Sequence, residues 1–169
     1  MNHSKIINEL SRNKNVFKEL MAGKTEEEYM WKSSPDKWCL LEIICHLYDE
    51  EREDFRTRTK HVLETPELDL IPFDQLAWIN DRKYIEQNYT VILSKFINER
   101  ELSIKWLESL HHPNWDNYID HPKFGQMSAK MFLSNWLAHD YLHLRQILKL
   151  KFDYLKNISG ETLVYAGNW

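Results

Sequence analysis

Glycine is scarce in this chain, with four among 169 residues. A turn-rich all-β fold, which draws on glycine wherever φ must be positive, is therefore disfavoured. Cysteine is scarcer still. Cys39 and Cys45, if carried on one helix, stand about 9 Å apart along its axis, too far for a disulfide. They read as buried thiols of a reducing compartment. No stretch approaches the roughly 18 uninterrupted apolar residues that a membrane span requires. The opening Met1-Asn2-His3-Ser4-Lys5-Ile6-Ile7 lacks a basic region followed by an apolar run, so no signal peptide is expected and the protein reads as cytoplasmic. Concentrated positive charge is missing too. The formal charge is −4, and lysines and arginines are interleaved with acids, which argues against a nucleic-acid partner. The run Glu50-Glu51-Arg52-Glu53-Asp54-Phe55-Arg56 reads as a solvated helix face.

What the chain does have is helical periodicity. Its length and 43% hydrophobic content suit one well-buried core, so residues 1–169 read as a single domain. Ile6, Ile7, Leu10, Phe17 and Leu20 give a first helix from about Ser4 to Met21, stopping near Gly23. Thr25-Glu26-Glu27-Glu28 then resembles a capping box. A second helix is expected from about Asp36 to Leu63, with Leu40, Leu41, Ile44, Leu47 and Tyr48 on its apolar side and Glu42, His46, Asp49, Glu50 and Glu53 on the wetter one. Residues 64–81 read as a loop pinned by Ile71, Phe73 and Trp78. Ile85, Tyr89, Ile92, Leu93, Phe96 and Ile97 predict a third helix from about Arg82 to Leu110. Residues 113–126 read as irregular. A fourth helix opens near Ser128 and runs to about Leu150, followed by a less periodic tail from Phe152.

The chemistry concentrates on the fourth helix. His139 and His143 are four residues apart and so project from one face, in the company of Phe132, Trp136 and Ile147. Such a pair reads either as hydrogen-bonded core histidines or as two ligands of one metal ion. His46 is the third candidate: a bundle that joins the second helix to the fourth makes a three-imidazole site with open coordination positions, whereas on a wet face it is only an exposed histidine. Glu50, one turn after His46, offers a further carboxylate oxygen or is one of many surface acids. A zincin reading fails on spacing, because the residue after the first histidine is Asp140, one methylene shorter than the glutamate that chemistry uses. Asp140 is instead an acceptor behind the ligands or a surface acid. His111, His112 and His121 sit in proline-bearing loops and carry little weight as ligands, and Cys45 points away from His46 as a packed thiol.

Three segments resemble one family, the DinB/YfiT-like proteins, also described as metal-dependent hydrolases. Residues 38–47, from Trp38 to the His46-Leu47 pair, look like its first-ligand helix. Residues 121–128 look like its histidine-proline-glycine lead-in, and residues 139–147 like its two-histidine closing motif. The resemblance implies an all-α four-helix bundle with an irregular C-terminal tail, in which His46, His139 and His143 bind a divalent ion, commonly nickel or zinc, often in a homodimer. It also implies a small-molecule substrate, acted on in one of two ways. A low-molecular-weight thiol cosubstrate is held on the ion as thiolate for S-transfer, or a water bound there is acidified for hydrolysis. A non-catalytic metal-binding, dimerising bundle with a structural or stress-response role is the alternative.

Overall fold

The computed structural model describes residues 2–70, 72, 74–121 and 123–169. Four long helical runs carry the architecture. Helix α1 (His3–Met21) starts where the Asn2 side chain accepts from the Lys5 N–H at 3.1 Å. A short α2 (Glu26–Met30) follows, opened by the Thr25–Glu28 capping box that its sequence suggests. The second run comprises α3 (Leu40–Asp49), a π-helical turn (Glu50–Phe55) and α4 (Arg56–Glu64). After short α5 (Ala77–Asp81) comes α6 (Tyr89–Ser109), which the Asn88 side chain caps at 3.0 Å from the Val91 N–H. The last run is α7 (Ala129–Ser159), with Ser128 accepting from Met131 N–H and Gly160 closing the helix at φ 66°.

Helix α6 packs on α1 and α3, while α7 packs on α1 and α4. This arrangement buries a core of Phe17, Met21, Leu41, Ile44, Leu47, Phe96 and Ile147 at one end and Leu10, Ile104, Leu107, Leu133 and Trp136 at the other. Ridge-and-groove packing of this kind draws the apolar stripes inward and lets polar side chains meet only where several helices converge.

The four expected helices are present, with revised ends. The fourth does not stop near Leu150: Leu150 is buried and the helix continues to Ser159, because no glycine interrupts it between Ser128 and the left-handed Gly160. The third does not begin at Arg82. Lys83 takes φ 47°, a single 3-10 turn spans Tyr84–Glu86, and Ile85 is 42% exposed rather than part of the core stripe. The second starts at Leu40 because Ser34 to Lys37 form a turn. The irregular stretch before α7 contains an antiparallel hairpin, β1 (Tyr118–His121) with β2 (Gly125–Ser128). It pairs Ile119 with Met127 and buries both against Val62, Ala129 and Phe132. Trp78 is buried as expected of the pinned loop, whereas Ile71, Phe73 and the Pro122 of the lead-in lie outside the described residues.

Candidate metal centre

The run from Glu50 to Arg56 is not a solvated face. Glu50, Glu51 and Phe55 are buried, and the backbone passes there through the π turn. Such turns concentrate at functional sites because one widened turn re-aims the side chains on it. Glu51 faces Arg100 of α6, with Nε to Oε1 at 2.9 Å. Arg100 also donates two hydrogen bonds of 2.7 Å to the Asp140 carboxylate on α7 and one of 3.3 Å to the Leu10 carbonyl on α1. Asn13 and the Trp136 indole complete the set, donating to Asp140 at 3.0 Å and to Glu51 at 2.9 Å. Burial opposes the Arg100 charge, yet Asp140 and Glu51 outweigh it and raise the guanidinium above its ordinary value. Asp140 is therefore a fully buried strut, neither a surface acid nor free to act as a base. Arg100 was invisible to sequence reasoning, since a lone arginine on an amphipathic helix looks like any other solvated charge.

Above this network the three histidines meet. His46 Nε2 lies 3.3 Å from His139 Nε2, which lies 3.0 Å from His143 Nε2, and the three donor atoms fall within 4.8 Å of one another. His46 does not sit on a wet face: its side chain is only 12% exposed. Trp38 packs edge-on to it at 5.0 Å, and Phe55 tilts over His139 at 4.9 Å. Phe55 in turn stacks on Trp136 at 5.9 Å. All three imidazoles are pushed below their ordinary pKa. Burial and then the His143 ring take His46 down to about 3. Burial and the other two rings, with Arg100 beyond them, take His139 well down. Burial lowers His143 against the opposing pull of Gln146 and Asp140. At neutral pH the rings are uncharged and present lone pairs.

These residues fit a divalent cation. The Gln146 side-chain oxygen accepts from His143 Nδ1 at 2.8 Å, so the His143 Nε2 lone pair points at the other two rings. One proton on His139 cannot then serve two nitrogen neighbours with linear bonds, whereas one cation serves all three. With metal–nitrogen bonds of 2.0–2.1 Å, neighbouring ligand atoms stand about 3.0 Å apart in octahedral and about 3.3 Å in tetrahedral geometry. The two separations of 3.0 and 3.3 Å fall in that range, and the three ligand atoms all lie within 4.8 Å of one another. Glu50 supplies a further sign. Its Oε2 accepts from Gln75 at 2.9 Å, but its buried Oε1 has no hydrogen-bond partner and lies 3.8 Å from His46 Nδ1. Burial, with Asp54 beside it, raises the Glu50 carboxyl above the usual carboxylate range. The geometry puts Glu50 behind the His46 ring, where a carboxylate orients a ligand imidazole.

The remaining histidines stay apart from this cluster. His121 Nδ1 accepts from the Lys123 and Phe124 N–H groups, and His112 takes φ 51° in the turn after α6. Cys39 and Cys45 are free and buried, Cys45 Sγ lying 3.7 Å from the Tyr84 carbonyl oxygen.

Comparison with known proteins agrees with the architecture. The model of the DinB superfamily matches residues 9–147, a span holding all three histidines. Among solved structures, YfiT from Bacillus subtilis superimposes with a TM-score of 0.77 at 17% identity, over 95% of this chain and 89% of that one. It is described as a probable metal-dependent hydrolase with an unusual four-helix bundle topology. At that identity the likeness shows the fold. No curated protein sequence matches the chain.

Proposed function

The chain belongs to the DinB superfamily, and from that premise we propose that it is a metal-dependent enzyme acting on a small molecule, with His46, His139 and His143 as the ligands of one divalent ion. The observation that carries this reading is the convergence of three neutral imidazole nitrogens at coordination spacing. Nickel and zinc both suit an all-imidazole donor set. A divalent ion held there supplies Lewis acidity toward a substrate oxygen or a thiol sulfur. The chain does the rest. Gln146 fixes the His143 tautomer, Trp38 and Phe55 keep water off the rings of His46 and His139, and the Arg100 network holds the helices that carry them. Hydrolysis is the leading reaction, as in the description of the YfiT fold relative. S-transfer from a low-molecular-weight thiol uses the same ligands and differs in needing that cosubstrate.

A purely structural ion is disfavoured by Arg100, which already ties α1, the π turn, α6 and α7 together without one. We read the 169 residues as one domain. Among the described residues no helix is long and apolar enough to cross a membrane, and two free buried thiols support a reducing, cytoplasmic setting. Tyr141, Leu148 and Leu155, exposed at seven-residue spacing along α7, support a homodimer.

The test is direct. Purified protein should retain about one equivalent of divalent metal by elemental analysis, and His143→Ala should lose it while keeping its helical circular dichroism. Metal-dependent cleavage of ester or amide probes without added thiol supports hydrolysis, and turnover only with thiol supports transfer. A chain that retains no metal, or a variant that retains it unchanged, contradicts the site.

A further inference from the structure

A cleft of about 530 Å³ opens beside the triad, with His143 in its wall. Two larger cavities, of about 700 and 620 Å³, lie against the start of α1 and against the hairpin, and neither touches any of the three histidines. The volume suits a small ligand. Trp38, which packs edge-on to His46, lines the cleft on one side. Trp169, 57% exposed, lines it as well, with its ring centroid 5.5 Å from that of Phe152.

The charge around this cleft runs against that of the protein. The chain carries −4 overall, yet the cleft is lined by Lys37, Arg145 and Lys149 against the single acid Asp153. Lys37 pairs with Asp36 at 3.1 Å and Lys149 with Asp153 at 2.5 Å. Arg145 is exposed and makes no hydrogen bond or ion pair with any described residue. Its guanidinium can engage two oxygens of one planar anion.

Resting on the metal-site reading above, we propose that this cleft takes a substrate with an anionic oxygen group, a carboxylate or a phosphate, bound by Arg145 with Lys37 and Lys149 beside it, and an apolar or aromatic body held between Trp38 and Trp169. Arg145 then sets both affinity and the end of the molecule that is turned away from the histidines. The same cationic rim draws anions toward an otherwise acidic protein.

Benzoate, phenyl phosphate and neutral benzyl alcohol, titrated into the metal-loaded chain by calorimetry, separate the possibilities. The expected result is that one or both anions bind about tenfold more tightly than the alcohol, and that Arg145→Ala removes that advantage without changing bound metal. Which of the two anions binds better distinguishes carboxylate from phosphate. Arg12→Ala makes the same change in net charge outside the cleft and should leave the preference intact. Trp169→Ala should weaken both anions and the alcohol alike. Equal binding of the three probes, or an Arg145→Ala preference equal to that of the unaltered chain, overturns the cleft. Metal content is read on the same samples: metal kept with no anion preference sinks this inference alone, and anion preference without any retained metal sinks the metal centre alone.

Discussion

Individual residues here are governed by burial more than by type. Cys39 and Cys45, which the sequence suggests are packed thiols, are both buried in the fold. Burial, the larger cause in both, pushes Cys39 up to about 11 and Cys45 up to about 12. Since the thiolate is the nucleophile, both side chains stay protonated and inert at pH 8. An alkylating reagent at pH 8 should label the native chain far more slowly than the chain unfolded in urea. The sign in stability follows: a folded thiol that holds its proton more tightly than the unfolded one stabilises fully below the unfolded pKa. That contribution is lost as pH rises through about 11 and above. Native labelling as fast as unfolded labelling would contradict the buried placement.

The histidines were readable in sequence because helical spacing fixes direction, so His139 and His143 had to share a face. His46 was not readable to the same degree. Its wheel neighbours Glu42, Asp49 and Glu50 suggested water, but all three are buried beside partners brought by other parts of the chain: Lys32, Tyr84 and Gln75. A wheel counts polarity along one helix and knows nothing of what faces it.

At the scale of elements, the π turn and α6 decide whether the histidines meet. The π turn begins one helical turn after His46 and carries Glu51, while Asp140 follows His139 directly, and Arg100 grips both carboxylates. The helices that carry His46, His139 and His143 are thus fixed in register close to those histidines. Replacing Arg100 by Met leaves Glu51 and Asp140 buried without their cation and should cost on the order of 3–5 kcal/mol in urea unfolding. Adding Glu51→Gln and Asp140→Asn to Arg100→Met should restore much of that loss, because the uncompensated charges are then gone. A stability unchanged in Arg100→Met would show that the network ties nothing together. Periodicity located the bundle helices because their apolar stripes are local. It missed the hairpin, whose four-residue strands are too short for alternation to register, and it ended α7 early by taking a partly exposed last stretch for a tail.

For the molecule as a whole, the buried arginine and the two carboxylates it binds form one layer, while buried Glu42 and Asp49 pair separately with Lys32 and Tyr84. Most of the core is aliphatic and aromatic, and Glu51, Arg100 and Asp140 meet where α1, the π turn, α6 and α7 approach one another, next to the three imidazoles. Glu51 and Asp140 against Arg100 leave this layer with one net negative charge, which favours a cation above it. The cleft with its cationic rim then lies on the outer side of His143. From sequence the bundle and two of its three histidines were plain. The layer that supports them was not, because its pairs join residues 40 and 49 positions apart.

The central claim is that one ion sits among three imidazoles drawn from α3 and α7. X-ray diffraction at the absorption edge of the metal found by elemental analysis tests it in a single experiment. The account predicts one anomalous peak, within about 2.0–2.1 Å of the Nε2 atoms of His46, His139 and His143. A peak elsewhere, or a fully metal-supplemented crystal with none at this position, would contradict it.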